Sequence, residues 1–136
     1  MIPFRITFRP GGSLYEQVVY SVKRAIISGQ LRPGEPFPSV RVLSKELKIN
    51  PNTAHKVVAQ LVSEGLLEVR TGTGTFVAVP SASSAAERSR LLKGELEELV
   101  VEAKKMGLGL KDVQDALSQH WQRLSAHQRN QGDQST

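Results

Sequence analysis

A chain of 136 residues has room for one domain, or for one small domain with an appendage, and its 39% apolar content supports only a modest core. It contains no cysteine, which excludes disulfides, thiolate zinc sites and a cysteine nucleophile. The net charge of +5 is concentrated: residues 1–80 hold ten Lys/Arg against five Asp/Glu, while residues 81–136 hold eight of each. The excess therefore lies in the N-terminal part, as a phosphate-binding face requires. In that part Ile2, Phe4, Ile6 and Phe8 alternate with Pro3, Arg5, Thr7 and Arg9, a period of two that predicts an extended arm or edge strand. Pro10-Gly11-Gly12 interrupts it. Ser13 and Glu16 stand in capping-box spacing ahead of a helix with Leu14, Val18, Val22, Ala25 and Ile26 on one face, ending near Gly29. Leu31 to Pro36 reads as a turn, because three helix breakers in so short a stretch leave no room for regular structure.

A second helix begins at the N-cap Ser39 and buries Val40, Leu43 and Leu47, and Lys48-Ile49 forms the turn after it. Asn50 caps a third helix whose first position is Pro51, where the missing N–H costs nothing. Ala54, Val57, Val58, Leu61 and Val62 form its apolar face. Asn52, Lys56, Ala59 and Ser63 lie opposite, with Thr53, His55 and Gln60 on the flanks. Gly65 ends it. Leu66–Val69 and Thr75–Val79 are short apolar runs joined by the tip Arg70-Thr71-Gly72-Thr73-Gly74, a hairpin signature.

Helix, turn, helix and glycine-tipped hairpin are the order of a winged helix-turn-helix. The helix at 51–64 is its recognition helix and residues 67–79 its wing. A helix lying against base edges needs short hydrogen-bonding side chains, and the first turn here supplies Asn50, Asn52 and Thr53, with His55 and Lys56 behind them. Arg41, in the first turn of the preceding helix, is disfavoured there by the helix dipole and reads as a contact to the DNA backbone. Arg70, Thr71 and Gly72 at the wing tip are placed to reach an adjacent minor groove.

Pro80 to Ala86 has the composition of a linker. Beyond it, Leu92, Leu96, Leu99, Ala103 and Met106 repeat at spacings of 4, 3, 4 and 3. Gly107-Leu108-Gly109 makes a tight turn, and Leu110, Val113, Leu117, Trp121 and Leu124 form a second seam. The expected architecture is α+β and mainly helical. It comprises a winged helix-turn-helix at 1–79, a linker at 80–86, a two-helix dimerisation segment at 87–125 and a flexible tail at 126–136.

His55, His120 and His127 form no metal signature, and the chain has no G-x-S-x-G elbow, P-loop or dinucleotide fingerprint. A non-enzyme without metal or cofactor is expected. No apolar run approaches the roughly 18 residues of a membrane span, and no signal peptide is evident, so the expected location is the cytoplasm.

The segments Pro38-Ser39-Val40-Arg41-Val42-Leu43, Asn50-Pro51-Asn52-Thr53-Ala54, Glu64-Gly65-Leu66 and Gly72-Thr73-Gly74-Thr75-Phe76-Val77 together resemble the GntR family of bacterial transcription regulators. Leu14-Tyr15-Glu16-Gln17 and Leu31-Arg32-Pro33-Gly34 match the family's opening, and the short C-terminal part resembles its YtrA-like subfamily. The resemblance spans about residues 1–125. It implies a homodimeric repressor on a palindromic operator of double-stranded DNA, with two C-terminal helices for dimerisation. The implied DNA contacts fall on Arg41, Asn50, Asn52, Thr53, His55, Thr71 and Gly72. Pro51 stands where many relatives carry an arginine. Subfamilies with large C-terminal domains bind metabolites there; this chain has too few residues after the linker for such a pocket, and the resemblance names no small-molecule effector.

Overall fold

The computed structural model describes Phe4, Ile6 and residues 10–134, with side chains to residue 125. Most of the alternating arm expected at 2–9 lies outside the described residues. Phe4 is buried, with its ring stacked on Phe37 at a centroid distance of 5.9 Å, and Ile6 packs against the core. The chain falls into two compact units, residues 1–80 with 125–136 and residues 81–124.

In the first unit, α1 (Leu14–Ile27) starts at Ser13, whose hydroxyl accepts a hydrogen bond from the Glu16 N–H, one half of the expected capping box. Val18, Val19, Val22, Ala25 and Ile26 are buried, whereas Leu14, assigned to this face from its spacing, is 40% exposed. Leu14 lies at the rim of the apolar arc, and the neighbouring Tyr15 packs against the core instead. Helix α2 (Val40–Leu47) is capped by Ser39 and buries Leu43, with Val40 and Leu47 partly buried. Helix α3 (Pro51–Ser63) buries Ala54, Val57, Val58 and Leu61 and packs on both earlier helices.

The hairpin of β2 (Leu67–Arg70) and β3 (Gly74–Val77) follows, antiparallel, with Leu67 opposite Val77 and Arg70 opposite Gly74. A third strand, β1 (Pro36–Phe37), pairs with the other edge of β3. This corrects the sequence reading, which gave the segment ending at Pro36 no regular structure. The proline is tolerated because the ladder bonds fall on its neighbours: the Gly34 N–H donates to the Val77 carbonyl and the Val77 N–H to the Glu35 carbonyl, each at 2.8 Å. Pro36 faces Phe76 at a position where no donor is asked of it. The extra strand closes the core over Leu31 and Phe37.

In the second unit, α4 (Ala85–Ser89) begins inside the stretch read as a linker, because Ser84 caps it by accepting from the Glu87 N–H. A π-helical segment, Arg90–Glu95, leads into α5 (Leu96–Lys105). After the turn at Gly107–Gly109 comes α6 (Leu110–Gln134), which runs through residues expected to form a flexible tail. Ala103 is buried, Val113 and Leu124 are half-buried, and Leu92, Leu96, Leu99, Met106, Leu110, Leu117 and Trp121 are exposed. The π segment also alters the seam. Its bond from the Leu96 N–H to the Leu91 carbonyl spans five residues, so Leu91 and Leu92 straddle the line of Leu96 rather than Leu92 alone continuing it.

Candidate nucleic-acid interface

The reading face begins with the geometry of the turn into α3. Lys48 adopts φ +55, a left-handed conformation, and the Ser44 hydroxyl donates to the Ile49 carbonyl at 2.7 Å. These features reverse the chain in two residues and bring Asn50 to the start of α3. The Asn50 Oδ1 accepts the Asn52 N–H at 2.8 Å, so the cap occupies that oxygen while the Nδ2 group keeps its donors. Asn52, His55, Lys56, Ala59 and Ser63 are exposed and Thr53 is half-buried. The sequence-assigned face is thus a single polar surface with small side chains at its centre, and the buried residues of α3 hold it from behind.

Arg41 is exposed in the first turn of α2 and makes no ion pair among the described residues. Tyr15, which the sequence reading did not single out, lines an open hollow with Thr53, Lys56, Ala59, Gln60 and Ser63. The sequence offered one clue, since its aromatic ring sits beside the apolar stripe of α1 rather than within it.

The far end of α3 is fixed differently. Gly65 (φ +77) follows the helix, with the Leu66 N–H on the Leu61 carbonyl and the Gly65 N–H on the Val62 carbonyl, a Schellman closure that favours glycine. Lys23 of α1 pairs with Glu64 at 2.6 Å, and Gln60 donates to the second carboxylate oxygen at 3.1 Å. Partial burial alone would raise the Glu64 carboxyl. The hydrogen bonds from Lys23 and Gln60 and the Lys23 charge outweigh it and hold the group below the ordinary carboxylate value.

At the wing, Thr71 and Gly72 are exposed, and the Thr73 N–H closes the tip on the Arg70 carbonyl at 3.0 Å. Gly72, at φ +77, supplies a conformation that a side chain resists. Arg70, read from the sequence as able to reach a minor groove, is held here by its own strand. Its Nε and Nη2 both donate to Glu68 Oε1, at 3.0 and 2.7 Å, and its guanidinium lies 4.1 Å from the centre of the Phe76 ring. Among the described residues no cluster of three or more His, Cys, Asp or Glu side chains can hold a metal, and no helix is long and apolar enough to cross a membrane.

A helical core, a polar helix face led by a capped first turn and a three-stranded wing define a DNA-binding winged helix-turn-helix protein. Residues 14–77 match the pattern described as "Bacterial regulatory proteins, gntR family". The chain is 30% identical over 108 residues to the HTH-type transcriptional repressor YtrA of Bacillus subtilis (strain 168), covering 79% of this chain and 83% of that one. It is 27% identical over 110 residues to the regulator YhcF of the same organism, covering 81% and 91%. Among solved structures, one described as a transcriptional antiterminator from Listeria monocytogenes EGD-e superposes with a TM-score of 0.80 at 24% identity, covering 90% and 92% of the two chains. YtrA from Sulfolobus acidocaldarius, a GntR-family transcription factor, gives 0.51 at 22% identity, covering 85% and 93%. The chain belongs to the GntR family and is a transcription regulator, not an enzyme.

Proposed function

We propose that this regulator is a cytoplasmic homodimeric repressor that binds a palindromic operator, with α3 in the major groove and the wing tip against the neighbouring backbone. The observation that carries the reading is the first turn of α3, where exposed Asn50 and Asn52 and half-buried Thr53 are followed by exposed His55 and Lys56, together with Arg41, exposed in the first turn of α2 and without an ion pair among the described residues. Asn52 suits adenine, which an amide meets with both donor and acceptor; Lys56 suits guanine or phosphate. Arg41 and the tip residues Thr71 and Gly72 serve the backbone, which positions the protein without reading sequence. The name of the Bacillus subtilis relative, a transcriptional repressor, supports the direction of regulation.

Selection of binding sites from a random duplex library by the full-length protein tests the proposal. The expected product is an inverted repeat with nanomolar affinity that falls steeply as salt rises. An enriched pool without dyad symmetry, or an affinity insensitive to salt, rejects it.

A further inference from the structure

The wing contains one cation, Arg70, and one acid, Glu68, between Leu67 and Val77, and the structure ties them together. Glu68 and Arg70 are two residues apart on one strand and so share a face, and the cross-strand partner of Glu68 is Phe76. The carboxylate takes two N–H groups of the guanidinium while the ring of Phe76 takes its flat side. Both charged side chains remain about half exposed, Arg70 at 50% and Glu68 at 45%. An exposed pair of this kind adds little to stability. The hairpin ladder holds the wing without it. What the pair does change is charge: the one cation on the wing is presented to a polyanion as part of a neutral unit.

We propose that Glu68 is a specificity-determining residue, a carboxylate that restrains Arg70 so that the wing arginine engages DNA only where the backbone outcompetes it. Binding to arbitrary duplex is almost wholly a matter of phosphates neutralised, and a restrained arginine adds nothing there. A narrow minor groove concentrates negative potential and draws arginine in. At such a groove the guanidinium exchanges Glu68 for the nucleic acid, so the contact reports groove shape. The inference rests on the DNA-binding reading and adds to it a residue that touches no base.

The test measures affinity of the full-length protein for two 30-base-pair duplexes, one of random sequence and one recovered by selection, across a range of salt. Glu68→Gln keeps the shape and removes the charge. It is expected to tighten binding to the random duplex roughly three- to fivefold and to steepen its salt dependence by about one phosphate's worth, a slope change near 0.9. The preference for the selected duplex should fall in proportion. Arg70→Ala alone leaves the Glu68 charge unopposed and should weaken the random duplex slightly and the selected one more. The decisive arm is the double variant. If releasing Arg70 is the cause, the steeper salt slope disappears in the Arg70→Ala background, where Glu68→Gln only removes a repelling charge and gives a smaller gain on the random duplex. An equal gain in both backgrounds means simple removal of a repelling charge, and the inference is overturned. It is also overturned if Glu68→Gln changes neither affinity nor slope while the wild type binds DNA normally. A wild type that binds neither duplex refutes the DNA-binding reading itself, separately from the role of Glu68.

Discussion

Lys48 is the described non-glycine residue with a positive φ, and it stands at the turn that aims the recognition helix. A side chain in this conformation costs about 1–2 kcal/mol, against the 0.5–1 kcal/mol that a glycine loses in chain entropy. Lys48→Gly is therefore expected to raise the stability of the first unit by about 0.5–1 kcal/mol, read from a urea denaturation midpoint at constant slope. An unchanged or lower midpoint would mean that the lysine side chain supports the turn in some other way. The same scale separates two kinds of DNA contact. Arg41→Ala should weaken binding to every duplex alike, because a phosphate carries no sequence information. Asn52→Ala should cost roughly 1–3 kcal/mol on the preferred site and relax the choice of base at one position. Affinities measured on a panel of single-base variants distinguish the two, and the assignment of Asn52 fails if its loss is uniform over the panel.

At the scale of elements, most of the winged domain could be read from the chain because its signals are local. Ser13, Ser39 and Asn50 cap helices where their positions suggested, and Gly65 and the Gly72 tip turn the chain where only a positive φ will do. Strand β1 was missed because two residues have no period, and its pairing with β3 is decided some 40 residues away. The π turn at Arg90–Glu95 was missed for a related reason, since a single wide turn leaves the count of apolar residues intact while changing which of them align. The Glu68–Arg70–Phe76 group escaped because periodicity gives the face of a side chain but not its partner. The clamp between α1 and α3 is likewise tertiary, as Lys23 and Glu64 are 41 positions apart. Its carboxyl has a lowered folded value, so its contribution is fully present above the unfolded carboxylate range and is lost as pH falls through the folded value. Glu64→Gln is expected to destabilise the domain at neutral pH by about 0.5–1 kcal/mol, discounted for partial exposure. That difference should shrink towards zero on acidification, in denaturation curves taken between about pH 7 and pH 3. A difference that stays constant with pH would show that the amide fails for reasons of shape rather than charge.

For the whole molecule the decisive feature is the apolar surface that the C-terminal helices expose. On one chain Leu96, Leu99, Leu110, Leu117 and Trp121 are exposed, as are Leu91, Val100 and Val101. Leaving that surface wet forgoes about 25 cal/mol per Å² of apolar area. In the homodimer proposed above, a second copy related by a two-fold axis would supply a self-complementary surface for it, in the manner of a four-helix arrangement, and that symmetry is the one a palindromic operator requires. The prediction concerns Leu99→Glu, and separately Leu117→Glu. Both positions are about half exposed on one chain, at 51% and 54%, so neither substitution should unfold it. Placed in a dimer seam, each charge is expected to cost about 2 kcal/mol or more, roughly thirtyfold in the dimer dissociation constant. Sedimentation of the full-length wild type at micromolar concentration should show a dimer, and that of the variants a shift towards monomer with helical content unchanged. DNA binding should then weaken on a two-half-site duplex far more than on a single half-site, because the variants lose only the linkage between sites. A wild type that sediments as a monomer, or variants that remain dimers, would remove the C-terminal helices from the assembly and leave their apolar faces to another partner.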